Sequence, residues 1–352
     1  MDRRAVLYAL GVTALVALGG LLWLVENPPP EQNHEVPLRL IPLAGGAEHA
    51  SAEISAMAWA GDQLVLVPQY PGLLEGLASG TAFVIARAQL EAFVEGRAEA
   101  VEVTHAQVVA TGMESAIEGF DGFEAIVFDG DEVFATIEAR RDDAATVGWL
   151  LRGRVERDAD GGLAAVIFDP ERRARLPAQN DLVNTGYEAL VLQGDRLLAI
   201  YETNGDVNEA PRVLAFDREL RPVGELDLDA LEYRVTDATE VDARGRFWVT
   251  NYHWPGAPWQ PGVCQLTERY GEGASHARCR TVERLVELRI TDDRVTLTRT
   301  PPILFELLDD EHARNWEGAV RFGDGFLVVT AEHPAAILAY VPPPGAGVEP
   351  PP

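Results

Sequence analysis

Glu124–Glu138, EAIVFDGDEVFATIE, decides the fold. An acid heads an apolar run of strand-forming residues, Gly130-Asp131 makes a tight turn, a second apolar run returns, and another acid closes the unit. This is a β-hairpin, with branched and aromatic residues on either side of a glycine turn. The same unit recurs at Ser55 (SAMAWAGDQLVLVPQ), Glu188 (EALVLQGDRLLAIYE), Glu240 (EVDARGRFWVTNY) and Glu317 (EGAVRFGDGFLVVTAE), at intervals of 52 to 77 residues. A hairpin repeated at such intervals is the signature of a propeller or solenoid.

Each interval has room for two more strands, for example Thr146–Arg154 with Leu163–Phe168, Arg212–Phe216 with Val223–Leu228, and Val286–Ile290 with Val295–Thr300. Four strands make a blade, and the last repeat runs short after Ala336–Val341, so the orphan strand Val36–Ile41 is expected to complete it. The expectation is an all-β, five-bladed propeller over residues 36–342, closed by strands from both ends of the chain. Six blades is the alternative if the 77-residue interval conceals a further one, but the insertion between Cys264 and Cys279 accounts for that excess. Trp59, Trp248 and Trp316 lie inside the hairpins and read as packing between blades.

At the N-terminus, Arg3 and Arg4 precede an apolar stretch from Ala5 to Val25, 21 residues and long enough to cross a bilayer. No small-residue cleavage site follows at Leu21, Leu22 and Trp23, so residues 1–26 are read as an uncleaved transmembrane anchor, with a cleaved signal peptide as the alternative. Either places the domain in the periplasm or extracellular space, with the anchor making the protein single-pass in the inner membrane. Residues 27–35, with Pro28, Pro29 and Pro30, form a stiff linker, and 343–352 a Pro-rich disordered tail. A net charge of −27 argues against nucleic acid and anionic lipid headgroups as partners. The two cysteines, Cys264 and Cys279, enclose 14 residues and are expected to pair as a disulfide in that oxidising compartment.

The innermost strand of a propeller blade lines the central channel, so the side chains that head these strands converge: Ser55, Glu124, Glu188, Glu240 with Thr239 beside it, and Glu317. One pair of like charges 4 Å apart costs roughly 4 kcal/mol at an effective dielectric of 20, so four carboxylates require protonation or a cation. An all-oxygen ring suits Ca²⁺ as the cofactor. Alternatively these glutamates accept backbone N–H groups from the neighbouring blade and set the register of the ring. The second strand of each hairpin returns to the same mouth, which puts Gln69, Tyr70, Glu138, Arg140, Arg141, Tyr201, Glu202, Asn204, Tyr252, His253, Glu332 and His333 in a funnel above the ring. Arg140 is the candidate anion holder, and His253 and His333 are candidate proton carriers. No residue reads as a nucleophile, and no elbow motif supports a serine triad.

NWEGAVRFGDGFLVV at Asn315 and DGFEAIVFDGDEVFATIE at Asp121 resemble the blade signature of the phytase-like (esterase-like) propeller proteins. The order Ser, Glu, Glu, Ser/Thr, Glu is similar to that of the calcium-activated apyrase nucleotidases. The resemblance implies five blades, an axial calcium held by Ser55, Glu124, Glu188, Thr239 or Glu240, and Glu317, and an N-terminal membrane anchor. The chain departs from that pattern in lacking a basic run to grip a polyphosphate. Two functions follow from these readings: a calcium-dependent hydrolase of small esters or phosphoesters, or a non-catalytic propeller that binds a periplasmic protein or ligand.

Overall fold

The computed structural model describes residues 35–73, 80–140, 146–331 and 335–343. The expected anchor, nearly all of the linker, and residues 344–352 of the tail lie outside them. Among the described residues no helix is long and apolar enough to cross a membrane.

The domain is all-β. Two short N-terminal strands, β1 (Glu35–Val36) and β2 (Arg39–Ile41), precede a series of antiparallel meanders. The first comprises β3 (Ile54–Trp59), β4 (Gln63–Pro68), β5 (Thr81–Ala86) and β6 (Thr104–Val109), and the second β7 (Phe120–Asp129), β8 (Glu132–Ala139), β9 (Val147–Arg157) and β10 (Leu163–Leu176). The third comprises β11 (Ala189–Gln193), β12 (Arg196–Ile200), β13 (Arg212–Phe216) and β14 (Pro222–Leu228). Next come β15 (Arg234–Ala238), β16 (Arg246–His253) and β17 (Val282–Ile290), with β18 (Arg294–Leu297) and β19 (Ile303–Phe305) both paired to β17. Finally β20 (Trp316–Phe322), β21 (Gly325–Thr330) and β22 (Leu338–Val341) pair in sequence.

The first strands of the meanders form a ring: β3 packs on β7, β7 on β11, β11 on β15, β15 on β20, and β20 back on β3. That closure makes the domain a β-propeller, and it removes the open inner edges that separate sheets would leave. As expected for the N-terminal strand, β2 adds antiparallel to β22 with Leu40 opposite Ala339, while Val36 belongs instead to β1, parallel to β19.

Apolar side chains fill the wedges between sheets. Met57, Leu64 and Phe83 meet Val320 and Leu327 between the first and last meanders, and Ala125 and Phe134 meet Leu190 and Leu197 between the second and third. The three hairpin tryptophans pack as the sequence suggests: Trp248 lies edge-on to Phe326 at 5.3 Å, Trp316 edge-on to Phe305 at 5.6 Å, and Trp59 stacks on Phe322 at 6.0 Å. Gly318 has no room for a side chain at the β20–β3 contact, where a Cβ would stand 2.5 Å from Val329 and 2.8 Å from Met57.

The expected disulfide is not formed: Cys264 and Cys279 are both free. The insertion between them folds into a helix, Gln265–Tyr270, and a 3₁₀ turn, His276–Arg278. Cys264 is buried with its sulfur accepting a hydrogen bond from Arg284 at 3.2 Å, while Cys279 follows the turn and is partly exposed. A short sequence separation lowers the cost of loop closure but does not set the Cβ directions a disulfide needs.

Candidate functional site

The inner strands carry one irregularity in common. β3, β7, β15 and β20 each bulge against their hairpin partners, and the extra residues are Ser55, Glu124, Thr236 and Glu317. At the head of β11 the chain gains one residue on its partner between Gly186, whose carbonyl accepts from Glu202 N, and Ala189, opposite Ile200. Glu188 lies in that interval. A bulge re-aims the inserted side chain, and here it does so near the mouth end of every inner strand.

Thr236 replaces Glu240 in this set. The other hairpins turn through two or three residues, but residues 239–245 connect β15 to β16, so counting back from Gly245 lands near the far end of the inner strand. There Glu240 accepts from Arg321 N at 3.2 Å and Thr239 from Trp248 N at 3.0 Å, both away from the mouth.

The two hydroxyl positions staple neighbouring strands. Ser55 donates to the Phe123 carbonyl, next to Glu124, and Thr236 to the Trp316 carbonyl, next to Glu317, each at 2.5 Å. Thr236→Val leaves a buried carbonyl unpaired and is expected to cost about 1–2 kcal/mol, read as a melting temperature lowered by roughly 2–8 °C.

Glu124, Glu188 and Glu317 line one cleft of about 280 Å³ at the ring mouth. Glu138 and Arg140, at the returning end of β8, line it too, as does Gln69 at the end of β4, whose amide donates to Glu124 at 3.1 Å. Burial, then the charges of Glu138, Glu188 and Glu317, push the Glu124 carboxyl well above its usual range. Burial and then Glu188 and Asp121 raise Glu138 to about 7 against the pull of Arg140 and Arg234, and burial raises Glu188 to about 7 against Arg234. Glu188 is 7 % exposed, and its Oε2 has no hydrogen-bond partner. Asn315, which donates to Glu317, likewise leaves its Oδ1 unpartnered.

Among the described residues no group of three or more His, Cys, Asp or Glu side chains is gathered tightly enough to hold a metal ion as it stands. The donor set nonetheless fits a hard divalent cation: carboxylate and amide oxygens only, buried, ionised at a cost, with two of those oxygens unpartnered.

The remaining candidates divide. Glu202 is fully buried behind the cleft in an ion pair with Arg234, and Asn204 is buried beside it, donating to the Tyr201 carbonyl at 3.0 Å. Tyr252 is 4 % exposed, its hydroxyl pushed upward by burial and by Glu283. His253 lines a different cleft, over the fourth meander. Glu332, His333 and Arg141 lie outside the described residues. Sequence reasoning did not find Glu53, Asp121, Asn184, Arg234, Asn315 and Ala331, which also line the central cleft. Asp121 accepts from Tyr70 at 2.8 Å and pairs with Arg140 at 2.9 Å, and Arg140 also donates to Asn184 at 2.7 Å. Asp121 and Asn315 stand three and two residues before a repeated acid, which was the available signal.

No family model and no curated protein matches the chain. Solved structures with a similar course include a glucose dehydrogenase (11% identity, 86% of this chain and 99% of that one, TM-score 0.44). Others are the soluble aldose sugar dehydrogenase of Escherichia coli (11%, 88% and 99%, 0.45) and the GH43 endo-arabinanase of Bacillus licheniformis (9%, 85% and 95%, 0.44). The propeller assignment rests on the strand pairing and the inner-strand ring described above.

Proposed function

We propose that the chain is a five-bladed propeller that binds Ca²⁺ at its mouth through Glu124, Glu188 and Glu317, and that this centre hydrolyses a small ester or phosphoester. The blade count is supported by the five inner strands that contact one another in a ring. One observation carries the functional reading: three carboxylates from three different inner strands share one cleft, and Glu188 holds a buried oxygen with no partner. With Thr236 in place of Glu240, the bulged positions read Ser, Glu, Glu, Thr, Glu, closer to the apyrase-like order than the sequence alone suggested. The apolar N-terminal stretch would hold the propeller at the outer face of a membrane.

When bound, the ion would neutralise the carboxylates and polarise a substrate oxygen. The chain's own groups supply the rest. Arg140, held by Asp121 and Asn184, presents positive charge at the rim of the cleft and orients an anionic or carbonyl group. Glu138, which burial and the charges of Glu188 and Asp121 raise to about 7 in the metal-free protein, would be held ionised beside the ion and serve as the general base in place of His253. A net charge of −27 favours a neutral or singly charged substrate over a polyphosphate.

The test pairs calcium calorimetry with a panel of nitrophenyl esters and phosphates assayed with and without chelator. Calcium binding with chelator-sensitive turnover is expected. Calcium binding without turnover of any panel member would favour the ligand-binding propeller, and absence of calcium binding would remove the metal from the proposal.

A further inference from the structure

A second cleft, of about 290 Å³, opens over the fourth meander beneath the insertion that contains both cysteines, and its charge runs against that of the whole molecule. Arg284 on β17, Arg280, His253 and His276 line it, with Glu272 as the one carboxylate in its wall. Arg284 is 3 % exposed, yet no carboxylate stands within ion-pair distance of it among the described residues. Its bonds go to no carboxylate: Nε donates to Asn251 Oδ1 at 2.8 Å and Nη2 to Cys264 Sγ at 3.2 Å, and the guanidinium lies over the Tyr233 ring at 5.1 Å. A buried guanidinium without a counter-charge is unfavourable by several kcal/mol.

A second observation points the same way. His253 is 7 % exposed, packs against Tyr233 at 5.4 Å, and has a buried Nδ1 without a partner. The carboxylate nearest His276, Glu35, is consumed by Ser275 and by His276 itself at 2.9 Å, and Asp310 is held by Arg280 and Thr281 backbone N–H groups. Glu35 and Asp310 are therefore committed to protein donors, Asp310 also pairing with the Arg280 side chain at 3.7 Å, while Arg284 lines the cleft without a carboxylate partner among the described residues. Leu304, Val282, Pro255 and Pro261 add an apolar wall.

We propose that this cleft is a binding site for the oxyanion group of a small molecule, a carboxylate or phosphate that completes Arg284, with Arg280 at the rim and the apolar wall receiving the rest of the ligand. The volume admits a ligand of modest size. The site is separate from the acid cleft at the ring mouth and does not depend on the function proposed there.

The experiment measures thermal shift and calorimetric binding of the full chain with benzoate and with inorganic phosphate, at constant ionic strength with chloride as control. Saturable binding of at least one anion is expected. Benzoate over phosphate identifies a carboxylate with an apolar body, and phosphate over benzoate identifies a phosphate group. Arg284→Met should weaken binding at least ten-fold while leaving or raising the melting temperature of the unliganded protein. Arg280→Ser, at a position whose side chain is 76 % exposed, should weaken it several-fold without affecting folding. Failure of both anions to bind the wild type, or binding unchanged in Arg280→Ser and Arg284→Met, overturns the proposal. So does a Cys264 thiolate at neutral pH in a protein that binds neither anion, since the sulfur would then be the counter-charge of Arg284.

Discussion

Glu188→Gln is expected to stabilise the metal-free protein and destabilise the calcium-loaded one relative to wild type. Without an ion, the variant exchanges a carboxylate that burial has made costly to ionise for a neutral amide of the same shape, a gain on the order of 1–3 kcal/mol at pH 8. With calcium at 100 times its Kd the wild type gains about 2.7 kcal/mol by mass action, and the variant, lacking the oxygen that has no protein partner, gains little. Urea unfolding in chelator and in calcium should therefore rank the two proteins in opposite orders. Hydrolysis should fall by about 100-fold or more in the variant. A variant less stable than wild type in chelator, or equally stabilised by calcium, would remove Glu188 from the metal site.

The metal-free protein should lose stability as pH rises from 6.5 to 8. Glu138 and Glu188 have folded values of about 7 against an ordinary 4.5, so the folded state binds more protons than the unfolded one across that interval. Their contribution is fully present below 4.5 and is lost as pH climbs through 7, most of it before 6.5, so the fall across this interval is on the order of 1 kcal/mol for the pair. Glu124 shifts in the same direction. His253 and His276, lowered chiefly by burial, act oppositely, but their contribution is complete once the pH passes the unfolded value of 6.5. Above that, the carboxylate slope is opposed only by the Cys264 thiol among these groups, which burial raises but Arg284 and Thr267 bring below its ordinary value. Saturating calcium keeps the carboxylates ionised in the folded state and should flatten the slope. Denaturant titrations between pH 6.5 and 8 would check this, and stability that is level or rising in chelator contradicts it.

The hairpins were legible because in most of them a two-residue Gly-Asp turn ties the position of the inner strand to the glycine. Ser55, Glu124, Glu188 and Glu317 could be counted back from such turns, and Gln69, Glu138 and Arg140 follow from the return of the second strand to the same mouth. Glu240 failed because a longer connection breaks that count. His253 ends β16 as expected, but the insertion that follows walls it into a cleft of its own, a tertiary effect with no local signature. Asn184 and Arg234 reach the central cleft from segments entering inner strands, outside the repeated phrase. The bulges that aim the ring side chains depend on hydrogen-bond register between strands, which no single strand's sequence encodes.

Because β2 is hydrogen-bonded to β22, the last sheet joins a segment that precedes the first meander to one that follows all the others. A chain emerging from the ribosome can assemble its meanders one after another as they appear, yet β2 must wait without its mate until the last of them has been delivered. Completion of that sheet is in that sense the latest step in building the propeller, and a nascent chain halted before Leu338 keeps β21 and β2 without their shared partner.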